Sequence, residues 1–196
     1  MSSPPPDPAP SNQAKGRDAD QPVALWAHHS DTLDTLDRLW DLTPKDRLPA
    51  RLLLGDAHLT VLLPLRPGAE APAWLAPAQK DGWVLLFGAR WQPLRSLLDE
   101  HPVLYVSSAN RTGHQPAATT EEALAMFPTT VPVLRAPAST DTTEAVTTTA
   151  RQATTTVRLH PDSRIELHRS GAQDRNYNGA DAYLGHLRAR NRDTAG

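Results

Sequence analysis

Tyr105-Val106-Ser107-Ser108-Ala109-Asn110-Arg111-Thr112-Gly113 is the stretch on which the reading of this chain turns. A short apolar strand, Val103 to Val106, runs straight into a polar turn. Two hydroxyls and a carboxamide lie within four residues at the strand's end, and a basic side chain and a glycine come next. Ligands of α/β proteins gather where strands end and helices begin. Donors in this order suit an anion such as a phosphate or a carboxylate. Ser, Asn and Gly are also ordinary turn residues, so the stretch alone leaves a plain turn open.

Working outward, Val23-Ala24-Leu25-Trp26-Ala27 reads as a strand, and Ser30 or Asp31 caps the next element. Leu33, Leu36, Leu39 and Trp40 recur at helical spacing, which predicts an amphipathic helix ending before Pro44. Thr43 to Arg47 reads as a loop. Arg51-Leu52-Leu53-Leu54 and Leu59 to Leu65 read as two strands joined through Gly55-Asp56, with Pro64 at a sheet edge or strand end. Residues 66–81 form a Pro/Ala-rich connection, with Trp74-Leu75 packing down. Trp83 to Gly88 is a further strand and delivers Arg90 just past its end. Leu94, Leu97 and Leu98 predict a short helix before Pro102.

Beyond the turn, Thr119 or Thr120 caps a helix over 121–127 that carries glutamates in its first turn. Val131-Pro132-Val133-Leu134 is a strand candidate, and residues 136–153 are a Thr/Ala-rich loop. Thr154–Leu159 and Ile165–Leu167 pair as a hairpin around Pro161-Asp162. Roughly seven strands and three or four helices define a mixed α/β fold.

Composition sets the limits of this body. Residues 1–21 hold five prolines and no aromatic residue, which predicts a disordered tail without the apolar core of a signal peptide. The expected domain spans 22–175. Residues 176–196 form a C-terminal extension, partly disordered, with one further helical segment. No apolar run is long enough to cross a membrane. The chain has no cysteine, which excludes disulfides, thiolate nucleophiles and cysteine metal sites and makes a reducing cytoplasm the default. A net charge of −2 gives no overall attraction to nucleic acid, so any anion site is local.

Arg90 and Arg169 each lie past a strand end beside small residues, Gly88-Ala89 and Ser170-Gly171, which would let a ligand approach the backbone. Guanidinium forks match phosphate and carboxylate, although a lone arginine is commonly a solvated surface charge. Adjacent His28 and His29 diverge on a strand or a helix, so no metal site is expected. Ser107 or Ser108 as a nucleophile would need a histidine base and a strained elbow, and neither is visible. Trp26, Trp40, Trp74 and Trp83 read as core, and Trp91 as a pocket rim.

These segments, in this order and spacing, resemble the YrdC/Sua5 family of threonylcarbamoyl-adenylate synthases. Trp83-Val84-Leu85-Leu86-Phe87-Gly88-Ala89-Arg90 resembles its "vgvR" strand, and Val106 to Gly113 its "tSANlSG" turn. Thr154-Thr155-Thr156-Val157-Arg158-Leu159 is similar to its "pSTVvdl" strand, and Leu167-His168-Arg169-Ser170-Gly171-Ala172 to its "ilRpGa" end. Leu59-Thr60-Val61-Leu62-Leu63-Pro64 looks like the segment after its "WPGP" turn. The resemblance implies a twisted open mixed sheet with flanking helices and a concave anion-binding cavity. It implies that threonine, bicarbonate and ATP, with Mg2+, yield threonylcarbamoyl-AMP and pyrophosphate for the t6A modification of tRNA, and that double-stranded RNA or tRNA is a partner.

By the same resemblance Ser108, Asn110 and Thr60 meet substrate or nucleotide. Arg90 and Arg169 face the threonine and phosphate side, and Thr155 supports the nucleotide. The family's Lys-x-Arg pair appears as Thr43-Pro44-Lys45, leaving Lys45 or Arg47 as its cation. The strand motif "PTdTvYGL" has no counterpart, and "WPGP" is reduced to Gly55-Asp56-Ala57-His58. The functions in play are a synthase-like nucleotidyltransferase of reduced or altered activity, a catalytically inactive nucleotide- or double-stranded-RNA-binding module of the same fold, and an unrelated α/β module. A role on RNA needs a basic face, and Asp99 and Glu100 stand against Arg90, Arg95, Arg111 and Arg169.

Overall fold

The computed structural model describes residues 7–88, 94–133 and 153–193. Arg90, Trp91, Leu134 and most of the expected Thr/Ala loop lie outside them.

Strands β1 (Ala24–Trp26), β2 (Thr60–Pro64), β3 (Gln79–Lys80), β4 (Trp83–Phe87), β5 (Tyr105–Val106), β6 (Thr156–Leu159) and β7 (Ile165–Arg169) form one mixed sheet. Its order is β5-β1-β4-β2-β6-β7, with β3 paired to β4. β1 runs parallel to β4 and β2 parallel to β6, and the other pairings are antiparallel. Pro64 closes β2 opposite Trp83, so it interrupts no central ladder.

Register sorts the side chains onto two faces. Val61, Leu63, Val84, Leu86 and Val157 share one face and are fully buried. Against it pack helices α2 (Ser30–Asp37), α3 (Pro44–Gly55) and α6 (Ala180–Asp193) and a 3-10 turn over Ala73–Ala78, through Leu36, Leu53, Leu54, Leu75, Tyr183, Leu184 and Leu187. Thr60, Leu62, Leu85, Phe87, Ala24 and Val106 share the opposite face. Leu62, Leu85 and Phe87 there remain only half-buried.

Helix α3 replaces the strand expected at 51–54. Pro44 sits in its first turn, where a missing N–H costs nothing. Ala50, Leu53 and Leu54 then fall at i, i+3 and i+4 and bury one stripe. The run Leu52-Leu53-Leu54 has no period of its own, and the spacing back to Ala50 decides for helix. Thr119 caps α5 (Thr120–Met126) by accepting from Glu122 N at 3.1 Å, as expected. A short α4 covers Arg95–Glu100. Residues 131–133 form no strand, and Val131 N closes a turn onto Pro128 O at 2.9 Å. Of the tryptophans taken as core, Trp40 is fully buried, whereas Trp26, Trp74 and Trp83 are partly covered.

Both ends of the described chain carry a helix. The N-terminal segment carries α1 (Ala9–Ala14) within the stretch expected as a tail. Asn12 is fully buried, and its Nδ2 donates to Ala19 O at 3.1 Å and Gln21 O at 2.8 Å. Polar groups hold this arm, so an expectation built on apolar burial overlooks it. At the other end α6 lays Tyr183, Leu184 and Leu187 into the core, and Arg188 Nη2 donates to Ile165 O at 3.2 Å. No helix among the described residues is long and apolar enough to cross a membrane.

Candidate functional site

The open face of the sheet floors a cavity of about 390 Å³. Ala24, Thr60, Leu85 and Phe87 form the floor, Val106 to Ala109 one wall, and Ala153, Thr154 and Arg169 the other. A second hollow of about 870 Å³ lies beside it and adds Asn110, Glu122, Asp174 and Arg175. Arg17, Ser108, Pro116, Ala153 and Arg169 line both, so two arginines and a serine stand where the two chambers meet.

The Ser-Ser-Ala-Asn turn is held from within. Ser108 Oγ donates to Asn110 Oδ1 at 2.5 Å, and Asn110 Nδ2 donates to His114 O at 2.8 Å and Arg111 O at 3.1 Å. It is also held from behind by Lys15, which is 3% exposed. Lys15 Nζ donates to Ser107 Oγ at 2.8 Å, to the Ser108 carbonyl and to Asn110 Oδ1 at 3.4 Å. Its own carbonyl accepts from Thr112 N at 3.0 Å. Burial, and then the neighbouring Arg17, lower the Lys15 pKa to about 8. Arg17 Nη1 reaches Ser107 Oγ at 3.2 Å from the cavity side.

The opposite wall comes from the start of β6 and the end of β7. Thr60 Oγ1 and Thr154 Oγ1 lie 2.5 Å apart, and Arg169 Nη2 donates to Thr154 O at 3.4 Å. Thr155 points the other way and is fully buried. Its Oγ1 donates to Asp174 Oδ1 at 2.5 Å and accepts from Gln173 N at 3.1 Å and Asp174 N at 3.2 Å. Burial pushes the Asp174 carboxyl up, but hydrogen bonds from Thr155, the Gly171 N–H and Ser170 outweigh it and hold it below its ordinary value.

Four of the residues expected to form the site therefore converge: Thr60, Ser108, Asn110 and Arg169. Thr155 is turned to Gln173 and Asp174 and does not line the cavity, whereas Thr154, one residue earlier, does. Lys45 and Arg47 are not at the site. They ride on the first turns of α3, where Asp46 accepts from Ser163 Oγ at 2.9 Å in the β6–β7 turn, at the far end of the hairpin from Thr154. Arg47 pairs there with Asp37 at 3.4 Å. Arg90 lies outside the described residues.

The cations at the turn are instead Arg17, which lines the cavity, and Lys15 behind it, and they were legible as a motif. Lys15-Gly16-Arg17 is itself a Lys-x-Arg triplet, standing ahead of β1 in a segment that composition marks as tail. The small residues also serve another end than ligand access. A Cβ on Gly88 would collide with the Leu54 backbone, and one on Gly171 with the backbone of Ala153 to Thr155, so both glycines admit the protein's own chain. Among the described residues no group of histidines and carboxylates could hold a metal. His28 hydrogen-bonds instead to the carbonyls of Trp26, Leu98 and His101.

No family model matches the sequence, and no curated protein matches it. Among solved structures, the chain is similar to Sua5 from P. abyssi in complex with L-threonine, with a TM-score of 0.53 and 18% identity over 83% of this chain. The match covers 43% of that chain, so this protein spans less than half the length of the structure it resembles. The fold is accordingly a Sua5/YrdC-like mixed α/β fold, a seven-stranded sheet flanked by helices.

Proposed function

We propose that the protein is an adenylate-forming nucleotidyltransferase of the threonylcarbamoyl-AMP synthase type. The observation that carries this reading is the convergence of Arg17, Arg169 and Ser108 at the junction of the two chambers. A carboxylate or carbamate enters the inner chamber and the nucleotide the outer one. An oxygen of the acid attacks the α-phosphorus of ATP, the bond to the β-phosphate oxygen breaks, and pyrophosphate leaves. Threonine and bicarbonate, which condense to a carbamate with loss of water, are the substrates that the family resemblance names, and tRNA is then the destination of the product. The L-threonine in the neighbouring Sua5 structure is in keeping with a small-molecule site on this fold.

Such chemistry needs positioning and charge stabilisation and no covalent enzyme intermediate. The two guanidinium groups neutralise the anions as they approach, and Lys15 fixes the turn that presents Ser107 and Ser108. Asp174 is engaged by Thr155 and Gly171, and Glu122 by Ala118 N, so Mg2+ would arrive on the triphosphate and not on a protein cage. A cytoplasmic location goes with the same reading.

A second reading is an inactive nucleotide- or RNA-binding module of the same fold. It is favoured by the internal bond between Ser108 and Asn110, which commits both side chains within the turn. Calorimetric titration with ATP and Mg2+ on the wild type and Arg169→Ala tests the first proposal, with pyrophosphate release then measured with threonine and bicarbonate. Binding weakened about tenfold or more by the substitution, together with turnover, is the expected result. Binding without turnover favours the module, and no binding removes the nucleotide from both readings.

A further inference from the structure

Ser107 stands apart from the other hydroxyls of the turn. It is exposed and lines the inner chamber, yet its Oγ lies 2.8 Å from Nζ of the almost fully buried Lys15. Arg17 Nη1 approaches the same oxygen at 3.2 Å. Lys15 is oriented by two further acceptors, the Ser108 carbonyl and Asn110 Oδ1 at 3.4 Å. An ammonium group serves all three contacts with its three N–H donors. A neutral amine keeps two donors for the carbonyl and the carboxamide. Its lone pair then faces the Ser107 hydroxyl, which becomes the donor. A nucleophile within reach of a base that a third group orients is an activated serine, and lysine is one of the bases known to serve it. The base here comes from 92 positions away in sequence, and it is not a histidine.

We propose that Ser107 and Lys15 form a nucleophile–base pair that hydrolyses small acyl esters in the inner chamber. This goes beyond nucleotidyl transfer and needs no nucleotide. Burial, and then Arg17, lower the Lys15 pKa to about 8, so the free amine is populated at neutral pH and above. The acyl tail packs against Leu85, Phe87 and Val106. Ser107 Oγ bonds to the acyl carbon as its proton passes to Lys15 Nζ. The Arg17 guanidinium stabilises the charge that builds on the carbonyl oxygen. The ester C–O bond breaks, and the leaving alkoxide takes the proton from Lys15. Water then attacks the acyl-Ser107 ester and gives a proton to Lys15, which returns it to the departing Oγ. The products are the free acid and the alcohol, with nothing oxidised or reduced.

The full chain is mixed with p-nitrophenyl butyrate, without nucleotide or Mg2+, and p-nitrophenolate release above the enzyme-free rate is followed from about pH 6 to pH 9.5. Turnover should rise with pH and level off above about pH 8. Ser107→Ala should lower it by at least about 100-fold. Lys15→Arg keeps the positive charge but accepts no proton, and should do the same. Should that buried variant fail to fold, the exposed Ser107 still decides the matter. A fluorophosphonate should add to Ser107, located by peptide mass spectrometry. No turnover above the enzyme-free rate, a rate unchanged in Ser107→Ala, or a label on Ser108 in place of Ser107 overturns the proposal. Pyrophosphate release from ATP with threonine and bicarbonate is scored separately, so failure with the ester leaves nucleotidyl transfer standing.

Discussion

Lys15 brings an ammonium group to a place where almost none of the residue meets solvent, behind Ser107, Ser108 and Asn110. Its pKa there is about 8, below the 10.5 of a free lysine. The unfolded chain therefore holds this proton more tightly than the folded one between about pH 8 and 10.5. Over that window the contribution of Lys15 to stability rises with pH. Affinity for an anion should move the other way, because the cleft loses a nearby positive charge as Lys15 deprotonates. Denaturant unfolding and ATP titration at about pH 7 and pH 9.5 should show opposite trends, and Lys15→Met should remove the Lys15 share of both. If affinity is flat over this range in the wild type, the ammonium is no part of the anion site. Thr154 and Thr155 make a related point about single residues. The alternation of a strand was readable in Thr154-Thr155-Thr156, but which parity faced the cavity was not. That choice depends on Asp174 and Gln173, which reach back from beyond β7.

The close approach at Gly171 welds the start of β6 to the segment after β7. A methyl group at Gly171 would collide with the Ala153 carbonyl and the Thr155 N–H, both backbone atoms that cannot swing aside. Gly171→Ala should destabilise the protein by about 1–3 kcal/mol and weaken ATP binding, because Thr154 lies in the segment leading into β6 that is forced away from the end of β7, which carries Arg169. Unchanged thermal unfolding would show that the strands separate freely. Among the elements, the sequence was readable wherever apolar alternation or capping carried the signal, as in β2, β4, the β6–β7 hairpin and the Thr119 cap of α5. It misled where a leucine run had no period, at α3, and passed over α1, whose bonds are polar.

Across the whole molecule the cleft gathers Arg17, Thr60, Ser108 and Arg169 from segments far apart in sequence while the net charge stays at −2. Composition therefore gave no sign of the cationic junction, and only the motif segments did. The core cluster begins at Leu25, so the N-terminal arm lies outside it. Excising residues 1–17 should leave cooperative unfolding in place, lower stability by about 1–3 kcal/mol, and abolish ATP binding with the loss of Lys15 and Arg17. Retained ATP affinity in that shortened chain would place the nucleotide elsewhere.

The arm also fixes when the site comes into being. Lys15 reaches across 92 positions of sequence to Ser107 and cannot find its partners until that turn has left the ribosome. Arg169 emerges later still. A loop of that length closes slowly and against its own chain entropy, so the cleft assembles after the local contacts of α3 and β2. Nascent chains that have already formed α3 and β2 would still carry Lys15 and Arg17 unpartnered, and the cleft would be complete only once Arg169 had followed.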